Sequence, residues 1–137
     1  MIEEQLDKDK LLISGTKGDS MLPFLRGGTD KVIISKDKTI NKYDVVLYKN
    51  NENKNVLHRV IDIKDNNYYL RGDNTIVTEI ICKENILGVL VGYYHINKYV
   101  DVNDEINYKA YLKSKRSLPL RILKNKIRNI LKWIKLN

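Results

Sequence analysis

A chain of 137 residues suits one domain, and its 42% apolar content supplies a core, which excludes wholesale disorder despite 31% charged residues. The formal charge of +8 is unevenly placed: ten of the 25 Lys and Arg lie after position 108 with no acid among them, leaving 15 basic against 17 acidic residues before it. A uniformly basic nucleic-acid-binding body is thereby excluded, and the positive excess belongs to a tail.

The opening MIEEQLDKDK is acidic and polar where a secretory leader has a basic start and an apolar run, so no export signal is expected. Short β-rich runs separated by polar punctuation follow, and the predicted strands are Leu11–Gly15, Lys31–Ser35, Asp44–Tyr48, Val56–Ile63, Tyr68–Gly72 and Ile86–Tyr93. Alternation along VLHRVIDI puts Val56, His58, Val60 and Asp62 on one face and Leu57, Arg59, Ile61 and Ile63 on the other. Asn50–Asn55 and Asp65–Asn67 are rich in turn-tolerant residues and are predicted to close two successive hairpins, giving a meander. The most apolar stretch, 86–96, has 11 residues including two glycines, short of the roughly 20 that a spanning helix needs, so no transmembrane helix is predicted.

From Leu118 the period changes. Leu120, Leu123, Ile127, Ile130, Leu131 and Ile134 recur at three- and four-residue steps with Arg121, Lys124, Arg128, Lys132 and Lys135 between them, which predicts a basic amphipathic helix starting near Pro119. The chain thus divides into a mainly β body, residues 1–108, and a C-terminal basic amphipathic helical arm, residues 109–137. The lone Cys82 has no intrachain partner, His58 and His95 lack CxxC or HExxH companions, and no phosphate-binding glycine loop is present, so no metal and no cofactor is predicted.

The stretch richest in chemistry is Gly18-Asp19-Ser20-Met21-Leu22-Pro23-Phe24-Leu25. Ser20 has two readings: a residue of a surface turn, or a nucleophile, which needs a base within hydrogen-bond reach. His58 is the candidate base, since a neutral imidazole accepts a proton near pH 7 without first having to be stripped of charge. His95, at the end of the last strong strand, reads as structural.

The string GDSMLPFL, then Tyr43-Asp44-Val45-Val46-Leu47-Tyr48, Leu57-His58-Arg59-Val60-Ile61, Gly72-Asp73-Asn74 and Ile86-Leu87-Gly88-Val89 resembles the ordered boxes of the type I signal peptidase and self-cleaving repressor superfamily of serine peptidases over roughly residues 11–93. His58-Arg59-Val60 resembles the serine-histidine branch, that of the archaeal and endoplasmic-reticulum signal peptidases, rather than the serine-lysine branch. The resemblance implies a small signal-peptidase-like (LexA-like) β-barrel or β-meander core. It also implies a serine endopeptidase acting on leader, signal or precursor peptides through an acyl-enzyme. Ser20 is then the nucleophile, His58 the general base, and Asp73 the third member that orients the imidazole. Glu79, which stands where the endoplasmic-reticulum branch carries a second functional aspartate, is the alternative orienting acid, and otherwise a solvated surface residue.

The resemblance further implies that Met21 and Pro23 position the nucleophile and shape the substrate cleft. Peptides would bind extended, by strand addition, with small alanine-like residues before the cut. The backbone N–H of Ser20 would hold the oxyanion; a family serine hydroxyl two residues earlier is replaced here by Gly18, with Ser14 and Thr16 as candidate substitutes. A self-cleaving regulatory domain and a catalytically silent peptide- or membrane-binding module are the rival functions. The basic arm predicts peripheral association with an anionic membrane, and nucleic acid is the weaker reading. The expected location is cytoplasmic or peripheral at the membrane.

Overall fold

The computed structural model describes residues 2–136. Helix α1 (Ile2–Asp9) leads into strands β1 (Leu11–Gly15), β2 (Lys31–Ser35), β3 (Val45–Lys49), β4 (Asn55–Lys64), β5 (Asn67–Arg71), β6 (Glu79–Cys82), β7 (Ile86–His95) and β8 (Lys98–Asp101), and the chain ends in helix α2 (Asp104–Leu136). Every strand pair is antiparallel, in the order β1-β2-β7-β3-β4-β5-β6, with β8 added to the far end of β7. The expected meander is present as β3-β4-β5, closed by the two predicted turns, and the unpredicted β6 extends it along β5. The expected barrel is not: β1 and β6 remain the two edges of an open sheet.

Alternation decides what the sheet buries. Along β3, Val45 and Leu47 join a core with Leu6, Leu12, Leu25, Val32, Ile34 and Leu90, while Val46 and Tyr48 enter a second core with Val60, Tyr68, Leu70, Ile81 and Val89. β3 is therefore covered on both faces, which is why its sequence is a continuous apolar run rather than an alternating one. Each fully buried aliphatic side chain contributes about 1.5–3 kcal/mol relative to exposure. Along β4 the predicted alternation holds only to Val60. A bulge at Ile61 puts two residues opposite one, so Ile63 packs beside Val56 and Val60 in the second core, and the side chain of Asp62 stays 43% exposed.

The helix start is also corrected. α2 begins at Asp104, and Pro119 lies inside it. Asn103 caps it, its Oδ1 accepting the Ile106 N–H at 2.9 Å, and Asp104 and Glu105 place negative charge in the first turn. The proximal half packs on the body: Asn107 and Ser114 are buried, and Tyr108 and Tyr111 stack against Tyr43 at 5.1 and 4.6 Å between ring centroids. Residues 123–135 are all exposed. No helix among the described residues is long and apolar enough to cross a membrane.

Candidate active site

The loop after β1 is shaped by Gly18, whose φ of +73° lies in the left-handed region that L side chains rarely adopt. Two backbone turns follow, Leu22 N–H to Asp19 O at 3.2 Å and Leu25 N–H to Met21 O at 2.9 Å, and the buried Met21 and Leu25 anchor the loop in the first core. Ser20 is left half-buried above them.

Folding brings Ser20 and His58 together across 38 residues, with Oγ 3.2 Å from Nε2. On the other side of the ring, Nδ1 lies 3.0 Å from the Tyr48 hydroxyl, and that hydroxyl donates to Glu79 Oε1 at 2.6 Å. The chain of contacts fixes the tautomer. A carboxylate accepts only, so Tyr48 directs its one proton to Glu79, and its oxygen is left to accept from His58 Nδ1–H. Nε2 is then the unprotonated nitrogen, and its lone pair faces Ser20. Burial first, then the Glu79 carboxylate, pushes the Tyr48 phenol well above its ordinary value, so Tyr48 keeps that proton across the physiological range.

Burial also lowers the His58 pKa, with the Glu79 and Asp73 carboxylates opposing part of the shift. The net direction favours the neutral ring, the form that accepts a proton.

Asp73 is not the orienting acid. Its carboxylate is held in two bonds of 2.8 Å by Nε and Nη2 of Arg59, in a pair whose side chains are 0% and 2% exposed. Arg59 Nη1 donates to Tyr43 O at 2.8 Å and to Asn107 O and Oδ1 at 3.2 and 3.1 Å, and its guanidinium lies 4.9 Å from the centre of the Phe24 ring. Because neighbouring residues on a strand point to opposite faces, His58 meets Ser20 while Arg59 ties β4 to Phe24 of the Ser20 loop, the turn after β5 and the base of α2. Asp73 is thus a scaffold residue. The group in contact with His58 Nδ1 is Tyr48, backed by Glu79, which β6 holds half-buried rather than solvated.

Gly72 completes the enclosure. A Cβ there would stand 2.6 Å from Ser20 O and 3.0 Å from His58 Nε2, so only glycine permits this approach. Asn74 then grips the loop, its N–H donating to Ser20 O at 2.8 Å and its Nδ2 to Asp19 O at 3.1 Å. Arg121 of α2 holds this grip from behind, with Nε on Asn74 Oδ1 at 2.7 Å and Nη2 on Asp73 O at 2.9 Å.

Beside the pair opens a cleft of about 470 Å³, walled by Leu12, Met21, Val32, Leu47 and Leu57 with Ser20 and Gly18 among its lining. Met21 serves both as loop anchor and as cleft wall. Pro23 is exposed and is not among the lining residues, which corrects its expected place in the cleft. The two candidate oxyanion hydroxyls donate to backbone carbonyls: Thr16 to Asp30 O at 2.9 Å, and Ser14, which lines the cleft, to Gly15 O at 3.1 Å. His95 Nδ1 meets the buried Asp30 at 2.6 Å, fastening the turn before β2 to the end of β7 and playing no part in the pair.

Sequence reasoning missed Tyr48 because an aromatic residue in an apolar run reads as core, which it also is. No family model matches the chain, and no curated protein matches it.

Proposed function

We propose that this chain is a serine endopeptidase of the signal-peptidase-like kind, cutting leader or precursor peptides through an acyl-enzyme. The single observation that carries the reading is the continuous array Ser20–His58–Tyr48–Glu79, with His58 Nε2 3.2 Å from a half-buried hydroxyl beside an apolar cleft.

In this reading Ser20 Oγ attacks the scissile carbonyl carbon as His58 Nε2 takes its proton. The imidazolium is stabilised by the Tyr48 oxygen and, behind it, by the charge of Glu79. His58 next returns the proton to the departing amine, leaving an ester on Ser20. A water, deprotonated by the same nitrogen, hydrolyses that ester. Backbone N–H groups of the loop at Ser20 are the donors for the oxyanion. The cleft has room for more than a methyl group, so substrates with larger apolar side chains at inward-pointing positions suit it alongside alanine-like ones.

The test is covalent labelling. A fluorophosphonate probe should attach to the wild-type chain at Ser20, found by peptide mapping, and leave Ser20→Ala unlabelled. The wild type should also cleave extended peptides carrying Ala or Leu before the cut. Absence of both labelling and cleavage by the folded wild type would refute the reading.

A pH profile follows from the lowered His58 pKa. The base must be neutral, so kcat/KM should fall as pH drops through the folded-state pKa, with the acid-limb midpoint below about 6.5. A midpoint at 8 or above would instead point to a lysine base.

A further inference from the structure

The distal half of α2 carries an apolar stripe that the body does not cover. Leu120, Leu123, Ile127, Ile130, Leu131 and Ile134 fall within about 100° of one another around the helix, and each is between 48% and 61% exposed. Leu118 and Ile122, on the opposite side, are the half-buried residues that face the body. At Leu123 the edge of the stripe meets the body. Ile76, 70% exposed on the loop after Asn74, shares a surface hollow with Leu123 and with the body-facing Leu118 and Ile122, and the neighbouring Val77 is 68% exposed.

Along the distal helix the flanking charge is of one sign. Arg128, Lys132 and Lys135 flank one margin with Lys124, Lys126 stands on the other, and α2 has no acid beyond Glu105. A second copy of the chain would bring like charges against like along the same margins, and a nucleic acid would leave the six aliphatic side chains in water. A surface that is anionic at its face and apolar just beneath satisfies both halves.

We infer that α2 from Leu118 onward, together with Ile76 and Val77, docks this protein flat on an anionic lipid surface. Docking reaches the site through Arg121, which lies on the same helix and holds Asn74 and the Asp73 carbonyl, and through them the backbone of Asp19 and Ser20. This second step rests on the peptidase reading and places the cleft at the membrane surface, where membrane-tethered peptides would be cut.

The experiment is co-sedimentation of the full chain with vesicles of phosphatidylcholine alone or with about 30% phosphatidylglycerol, the anionic lipid being the source of surface attraction. Binding should require the anionic lipid and weaken steeply from about 50 to about 500 mM salt. Each cation near the surface is expected to contribute about fivefold to partitioning, so Lys124→Glu, Arg128→Glu and Lys132→Glu together should reduce it at least 100-fold. Leu123→Ser with Ile127→Ser should reduce it at least tenfold. These positions are exposed, so the variants should keep the wild-type circular dichroism and melting temperature. Ser20→Ala should bind as the wild type does, which separates failure of docking from failure of the peptidase reading. Equal binding to neutral vesicles, unchanged binding by either multiple variant, a stable dimer that ignores vesicles, or binding to duplex DNA in preference to vesicles would overturn the inference.

Discussion

Asp73→Ala should destabilise the protein by about 3–5 kcal/mol, because it leaves the Arg59 guanidinium buried without its carboxylate. For a chain of this size that is a fall in Tm on the order of 10–15 °C, large against a typical stability of about 5–15 kcal/mol. The other acceptors of Arg59, on Tyr43 and Asn107, are neutral and do not replace the lost charge. The damage should spread, because Arg59 connects four parts of the chain: β4, the Ser20 loop through Phe24, the β5–β6 turn, and the first turns of α2. Thermal melts followed by circular dichroism check this. A variant with the wild-type Tm and a selective loss of kcat would return Asp73 to the orienting role and defeat the scaffold assignment.

Glu79→Gln should do the opposite: leave the melt nearly unchanged and suppress catalysis. A carboxamide can offer an N–H to the Tyr48 oxygen, which turns the phenolic proton toward His58 Nδ1. The imidazole must then carry its own proton on Nε2, where it faces Ser20 as a donor and cannot take the hydroxyl proton. Wrong-tautomer imidazoles in serine hydrolases cost about 10⁴-fold in kcat, and an effect of about 10³- to 10⁴-fold is expected here. Tyr48→Phe keeps the ring in the second core but removes the acceptor for Nδ1–H, and is expected to lower kcat/KM by about 10²-fold, or roughly 2.7 kcal/mol. Steady-state kinetics on both variants, with melting curves beside them, decide the matter. If Glu79→Gln and Tyr48→Phe cleave at the wild-type rate, the array has no catalytic meaning.

The contrast between these acids shows what the amino-acid sequence could convey. The bounds of β1 and β2 were legible because each is a short apolar run between polar segments, and the Ser20–His58 pair was legible because Ser20 sits in the GDSMLPFL box and His58, one of only two histidines in the chain, in a β-rich run. Which acid stands behind His58 was not. Asp73 lies in the more conspicuous box, but strand geometry hands it to Arg59, one residue away from His58 and on the opposite face. Glu79 reaches the site only because a four-residue strand too short to show a period pairs with β5. The bulge at Ile61 is invisible in a string whose alternation reads unbroken. The true start of α2 was written as Asn103-Asp104-Glu105, a capping signature overshadowed by the proline 15 residues further on.

The unclosed sheet has a consequence of its own for selectivity. With β1 at a margin, a row of main-chain groups runs beside the cleft, and such a row cannot distinguish one amino acid from another. On the peptidase reading, admission would then depend on whether a segment can be pulled straight over several residues. On that reading folded domains would be turned away by shape, with their slack ends and tethers left as the material within reach.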